Sequence, residues 1–302
     1  MLTPLLQRLG SVLDEAGAAW SVVHEESGPQ IDDVTLHVAP ADTDLAVDAL
    51  DRCGFAPLGS GTDHLAPDGP RWLRVRLDSG GPPGRTRTTS RGVSVALLGP
   101  DGVGKSTLLA GLAADYPLAI RQIYMGMWQG AGQSGYTRLD AVRAILIRPF
   151  RVWWRVACGA VHVARGRVVV FDRYTYDALL PVTGSWPLLK RPYFWVLAHL
   201  APRPDLVLVL DLPGEVAFAR KGESTPERLE AVRQGFLALV PRLGAEVVDA
   251  AAPPEQVRAD VVSRIWRPHR ARLTGDPVSR PRPAARTAAP SAPEPAPPAT
   301  PR

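Results

Sequence analysis

Short apolar runs alternate along most of the chain with longer stretches whose apolar positions return at helical spacing. From residue 93 onward this becomes a regular strand–loop–helix repeat. The apolar runs predict strands over 93–98, 120–124, 167–171, 206–211 and 246–249. The helical spacing predicts helices over 107–114, 139–164 with a break at Pro149, 191–200, 214–220, 226–240 and 254–266. Nearly continuous apolar strands separated by helices imply a parallel sheet covered on both faces. The expected class is therefore α/β, with a five-stranded parallel sheet and its ligand at the carboxyl ends of the strands.

Residues 1–79 read as a smaller α/β domain. It has helices over 5–16, ending at Gly17, and over 42–53, stopped by Gly54, with strands over 20–24, 34–39, 55–58 and 72–77. Residues 80–92 contain Gly-Gly-Pro-Pro-Gly without apolar periodicity and read as a flexible linker. The larger domain then occupies 93–267. Residues 268–302 are rich in Pro, Ala and Arg, have little to bury, and are expected to form a disordered tail.

The chain has 302 residues, enough for two domains with real cores. Its formal charge of +5 suggests a nucleic-acid partner until the charge is located. Residues 267–302 hold seven arginines against Asp276 and Glu294, which accounts for the whole excess. Residues 1–79 carry 13 acidic and 5 basic side chains, so the larger domain is correspondingly basic. That polarity suits a polyanionic small molecule and argues against nucleic acid. No apolar run is long enough to span a bilayer and no secretory leader is evident, so no stable membrane insertion and a cytoplasmic location are expected. Cys53 and Cys158 fall in different domains and are expected to be buried, unpaired thiols.

Residues 99–106 carry the chemistry. Gly99-Pro100-Asp101-Gly102-Val103-Gly104-Lys105-Ser106 fits G-x-x-x-x-G-K-[ST], between a predicted strand and a predicted helix. Glycines let the backbone wrap an anion so that its amides and the helix N-terminus point at phosphate. The loop therefore predicts an ATP-binding set of Gly99, Asp101, Gly102, Val103, Gly104, Lys105, Ser106 and Thr107. Lys105 would reach the β- and γ-phosphates and the Ser106 hydroxyl would sit on Mg²⁺. The strand over 167–171 leads into Asp172-Arg173-Tyr174. A carboxylate there orients Mg²⁺ or its waters, and the arginine can fork onto a phosphate. The alternative is an Asp172 that merely caps a helix and pairs with Arg173.

Taken together, Gly-Pro-Asp-Gly-Val-Gly-Lys-Ser-Thr at 99–107 and Asp-Arg-Tyr at 172–174 resemble the thymidylate kinase branch of the P-loop nucleotide kinases. Leu210-Asp211-Leu212-Pro213, Arg220-Lys221 and Glu227-Arg228 resemble that family's fourth strand and basic lid, and Val247-Val248-Asp249-Ala250 its last strand. The resemblance covers about 93–266. It implies a P-loop NTPase fold, ATP and Mg²⁺ as cofactors, and transfer of the γ-phosphate to a nucleoside monophosphate. It further implies Asp101 facing the acceptor sugar, Arg173 with Tyr174 on the acceptor, and Arg220, Lys221 and Arg228 neutralising the transferred group. Lys105, Asp172, Arg173, Arg220 and Lys221 are then the catalytic set, with Ser106 and Asp172 toward the metal. Gly102, where some relatives carry a basic residue, resembles the bacterial variety whose lid supplies the catalytic arginine.

One segment departs from the family. Met125-Gly126-Met127-Trp128-Gln129 stands where Arg-Glu-Pro usually helps read the acceptor, which leaves another small metabolite as an alternative acceptor. A catalytically inactive ATP-binding regulator is the alternative from a different class, and homodimerisation stays open. Arg143, Arg148, Arg151 and Arg155, beside Trp153 and Trp154, read as a solvated face, a phosphate-facing wall or a membrane-surface contact. The N-terminal unit faintly resembles a degenerate nucleotidyltransferase. Asp32 and Asp33 are present, but Thr35 stands where a further metal-binding carboxylate belongs.

Overall fold

The chain is described from a computed structural model over residues 3–25, 28, 30–58, 62–80, 91–126, 138–180, 187–222 and 224–276. Residues 81–90 of the expected linker over 80–92, residues 127–129 of the divergent loop with Trp128, and the tail beyond 276 lie outside the described residues.

The N-terminal unit runs α1 (Pro4–Glu15), β1 (Trp20–His24), β2 (Ile31–Val38), α2 (Thr43–Arg52), β3 (Ala56–Leu58), β4 (Asp63–Asp68) and β5 (Arg71–Asp78). Its strands form one sheet in the order β1-β2-β5-β4-β3, in which only β2 and β5 run parallel. Strand β4 went unforeseen. Its sequence Asp-His-Leu-Ala-Pro-Asp has weak strand propensity, and pairing along β5 is what extends it.

The second unit runs β6 (Ser94–Leu98), α3 (Lys105–Asp115), β7 (Ile120–Tyr124), α4 (Arg138–Ala164), β8 (Val168–Asp172), α5 (Pro187–His199), β9 (Leu206–Asp211), α6 (Gly214–Lys221), α7 (Pro226–Leu243), β10 (Glu246–Asp249) and α8 (Pro254–Thr274). A 3₁₀ turn at Thr175–Leu179 follows β8. The sheet order is β10-β9-β6-β8-β7 with every pairing parallel, as the apolar strands predict. Alternate side chains enter opposite layers. Val95 and Leu97 of β6 join a core that also holds residues of α3 and α8, whereas Ala96 and Leu98 join one shared with α4, α5 and α7.

Helix boundaries follow local chemistry where the sequence supplies it. Thr225 caps α7 by accepting from the Arg228 amide, Pro226 occupies its first turn, and left-handed Gly244 ends it. Helices α4, α7 and α8 continue past an expected break or end, α7 reaching Leu243 instead of residue 240. Helix α4 passes through Pro149 without the predicted break. Proline has no amide to offer the carbonyl four residues earlier, and here the Tyr193 hydroxyl bonds that Ile145 carbonyl at 2.9 Å instead. Helix α8 crosses the expected boundary at 267 and reaches Thr274, because this stretch has partners. His269 is buried, Arg270 reaches the Phe55 carbonyl and the Asp51 carboxylate, and Arg272 pairs with Asp205 at 2.9 Å.

These contacts dock the N-terminal unit on α8 and on the end of α3. Trp72 of β5 meets Tyr116 and Trp266 edge-on at 5.0 and 5.2 Å, and the Trp266 indole donates to the Gly54 carbonyl. The smaller unit is thus in direct contact with the helix that begins at Lys105.

Candidate active site

The turn between β6 and α3 closes around its own backbone. Gly102 and Gly104 hold φ of +82° and +97°, and Gly104 starts α3 from the left-handed region. At Gly102 a side chain is also excluded by space, since a Cβ would lie 2.4 Å from the Ala217 carbonyl oxygen of α6. The loop and the helix bearing Arg220 and Lys221 are therefore in backbone contact.

Lys105 is buried, and its Nζ donates to the carbonyls of Gly99 at 2.8 Å and Pro100 at 2.6 Å. Burial pushes its pKa down to about 8, helped by the nearby Arg173 and opposed by Asp101, Asp172 and Asp177. An arriving polyphosphate would hold this ammonium fully charged.

Three strands of the sheet end in aspartate at this edge, and their surroundings separate them. Asp249 of β10 is exposed and accepts from the Ala251 amide at 2.8 Å. Asp211 of β9 is occupied by Arg233, which donates to both of its oxygens at 2.5 and 3.1 Å. Asp172 of β8 has a buried Oδ1 with no hydrogen-bond partner among the described residues. A buried carboxylate oxygen without a donor is costly unless a cation or its water completes it. Together with the Ser106 hydroxyl on the same cavity, this donor set fits Mg²⁺ carried on a nucleotide phosphate. The alternative in which Asp172 pairs with Arg173 does not hold. Arg173 pairs with Asp101 of the loop and with Asp177 at 3.2 Å.

A cavity of about 670 Å³ joins these groups at the carboxyl edge of the sheet. Its walls include Asp101, Gly102, Val103, Gly104, Lys105, Ser106 and Thr107 from the loop and α3, Asp172 and Arg173 from β8 and its exit, and Arg220 and Lys221 from α6. Gly99 contributes through its carbonyl to Lys105 rather than as wall. Tyr174 lies elsewhere. It is buried in the sheet's second core, and its hydroxyl donates to the Pro202 carbonyl, so its expected place on the acceptor is corrected. Arg228 is exposed at the start of α7 and does not line the cavity.

Two wall residues carried no signal in the sequence. Arg258 of α8 pairs with Asp115 at 2.6 Å and packs its chain against Gly111, so it reaches the cavity across a helix that lacks a side chain there. Tyr124 ends β7 with the Arg155 guanidinium 5.9 Å above its ring. Both depend on packing between distant elements, helix on helix for Arg258 and strand on helix for Tyr124, that residue spacing does not encode. Of the four α4 arginines singled out in the sequence, Arg155 thus borders the cavity through Tyr124, Arg151 is exposed, Arg148 neighbours Tyr193, and the Arg143 side chain lies outside the described residues.

The N-terminal unit offers no comparable centre. Asp32 is taken by Arg71 at 2.5 Å, Asp33 by two donors of Arg74 at 2.6 and 2.8 Å, and Thr35 donates to Glu25. Among the described residues no group of three or more His, Cys, Asp or Glu could hold a metal ion, and no helix is long and apolar enough to cross a membrane. Cys53 is buried and Cys158 partly so, and both are free.

No protein-family model matches the chain. Curated proteins do. The thymidylate kinase of Xanthomonas campestris pv. campestris is 34% identical over 191 residues, spanning 56% of this chain and 81% of the relative. A probable thymidylate kinase of Pyrobaculum aerophilum is 29% identical over 189 residues, spanning 57% of this chain and 96% of the relative. Among solved structures, a thymidylate kinase from Candida albicans aligns with a TM-score of 0.44 and 21% identity, over 58% of this chain and 91% of the other. A phosphate loop facing an Asp-Arg pair across a parallel sheet, in a chain matching most of the length of such relatives, has one consistent assignment. The chain belongs to the thymidylate kinase family.

Proposed function

We propose that this chain is an ATP- and Mg²⁺-dependent phosphotransferase that moves the γ-phosphoryl group of ATP to a nucleoside monophosphate. The observation that carries the reading is the meeting, in one cavity, of the loop lysine, the unpartnered Asp172 oxygen and the Arg173 guanidinium. In this reading the loop amides and Lys105 hold the triphosphate. Ser106 and Asp172 would hold the metal, which when bound would neutralise charge on the phosphates. Arg173 fixes the acceptor phosphate so that one of its oxygens attacks the γ-phosphorus in line and ADP leaves. Arg220 and Lys221 supply positive charge against the negative charge on the transferred group.

The experiment is a coupled assay of ADP release with the full chain, ATP, Mg²⁺ and a panel of nucleoside monophosphates. Acceptor-dependent ADP release supports the reading. Tight ATP binding with no stimulation by any acceptor would favour the nucleotide-binding regulator, a second reading motivated by the N-terminal unit docked on the end of α3. Stimulation only by a different small metabolite would move the acceptor and leave the transfer chemistry in place.

Three finer readings accompany this one. The units are taken as 1–79 and 93 to the end of α8 at Thr274, beyond the expected 267, joined by 80–92, with the former an accessory domain whose Asp32 and Asp33 are neutralised by arginines. Helix α4 turns a second apolar side outward, with Leu146, Phe150, Trp153 and Trp154 at 72, 65, 55 and 59% exposure, which supports a homodimer through this face. A cytoplasmic enzyme acting on small molecules, without nucleic acid as partner, suits the basic larger domain.

A further inference from the structure

Arg173 is held in an unusual way. Its φ of +64° makes it the one non-glycine residue in the left-handed region among the described residues. A long side chain there is strained, and the strain persists only where neighbours over-determine the backbone. Here they do. The Arg173 amide donates to the Leu97 carbonyl at 3.0 Å, and the Asp172 carbonyl accepts from the Met125 amide at 2.9 Å. The left-handed step turns the chain directly into the 3₁₀ turn, which brings Asp177 under the guanidinium.

The direct side-chain partner of the Asp177 carboxylate is Arg173, while Lys105 feels its charge only at a distance. Its side chain is 2% exposed, and Oδ2 accepts from Arg173 Nη1 at 3.2 Å while Oδ1 is buried without a partner among the described residues. Taking a carboxylate out of water costs several kcal/mol, which one such bond only partly offsets. The turn that carries it is anchored by other groups, since the Thr175 hydroxyl donates to the Ala198 carbonyl at 3.1 Å. Asp101, the other anion on Arg173, is half exposed and sits on the phosphate loop. The two carboxylates thus differ in kind: one is a wall of the cavity, the other a buried footing.

We propose that Asp177 is a positioning residue for the acceptor side of the reaction, a fixed counter-ion that aims the Arg173 guanidinium into the cavity. Two of the five N–H donors of Arg173 are used by Asp177 and Asp101, and the rest stay available to a phosphate oxygen pair. When an acceptor displaces Asp101, Asp177 keeps the arginine in place and keeps part of its charge balanced. The proposal rests on the functional reading above for the identity of what Arg173 holds.

The test uses the full chain with Asp177→Asn, which keeps shape and removes charge, and Asp177→Ser as a second variant. With ATP and thymidine monophosphate as probes, the acceptor KM is expected to rise by about tenfold or more, while the KM for ATP stays within about twofold. Equal shifts in both constants, or no shift in either, would overturn the proposal. A second readout does not require turnover. In ¹⁵N spectra of arginine side chains, the Arg173 guanidinium, assigned through Arg173→Lys, is expected to give a resolved signal in the wild type and to lose it in Asp177→Asn. The Arg233 signal, anchored on Asp211, stays as an internal control for folding. An unchanged Arg173 signal overturns the positioning role. Absence of acceptor-dependent ADP release in the wild type counts against the functional reading alone, and the spectra still decide the role of Asp177.

Discussion

Replacing Gly102 by alanine tests how the phosphate loop is built. Two costs add at this position. The backbone sits at φ +82°, where an L-residue loses about 1–2 kcal/mol. The new Cβ also meets the Ala217 carbonyl oxygen at 2.4 Å and its carbon at 3.1 Å, which forces the loop and α6 apart. Overpacking against backbone costs about 1–3 kcal/mol more. Gly104 separates the two terms, because it holds φ +97° but its Cβ would meet nothing within 4 Å. Gly104→Ala is therefore expected to lower Tm by the conformational term alone, about 2–8 °C at roughly 2–4 °C per kcal/mol for a domain of this size. Gly102→Ala should lie several degrees lower again, and should weaken ATP binding by displacing Arg220 and Lys221 along with the loop. Thermal unfolding without nucleotide, followed by calorimetric titration of ATP, measures both. Equal melting temperatures for the two variants would refute the claim that α6 is in backbone contact with the loop.

Lys105→Ala should reduce turnover by at least about 10³-fold with a native circular-dichroism spectrum, because its ammonium bonds only two loop carbonyls and supports no core packing. Arg220→Ala, read by steady-state kinetics, should lower kcat by about 10²–10³-fold and change ATP affinity much less if, as proposed, its charge serves the transferred group. His269 supplies an acid-sensitive element. Burial against Tyr116 and Trp266 pushes its pKa down to about 4 from an ordinary 6.5, so it is neutral when folded and protonates on unfolding. The stability it secures is full above pH 6.5 and falls as pH drops toward 4, by about 3 kcal/mol at about 1.4 kcal/mol per pH unit. Tm measured from pH 7 to 4 should fall less steeply in His269→Gln than in the wild type.

Much of the fold was legible because it is written in local pattern. The strands at Ile120–Tyr124, Leu206–Asp211 and Glu246–Asp249 end where the apolar runs end, and the sheet's parallel order follows from the alternation with helices. What escaped depends on partners distant in the chain. The weak strand at Asp63–Asp68 forms on β5, the Ile145 carbonyl freed by Pro149 is bonded from α5, and α8 outruns Trp266 because Asp51, Phe55 and Asp205 hold its arginines. The site divides the same way. The loop from Gly99 to Thr107 is contiguous and its chemistry is readable residue by residue. Tyr174 illustrates the converse, since adjacency to Arg173 in sequence places it on the opposite side of the backbone, in the core. Arg258 and Tyr124 matter through packing between elements, and Asp177 meets Arg173 four residues away only because of the left-handed step at Arg173.

The central claim is phosphoryl transfer from ATP to a nucleoside monophosphate, and product formation tests it most directly. The full chain is incubated with γ-³²P-labelled ATP, Mg²⁺ and thymidine monophosphate or its relatives, with Lys105→Ala as the blank, and the products are separated. The account predicts label in a nucleoside diphosphate, formed in step with ADP and absent from the blank. Label that stays on ATP or appears only as inorganic phosphate, with every monophosphate offered, would contradict it.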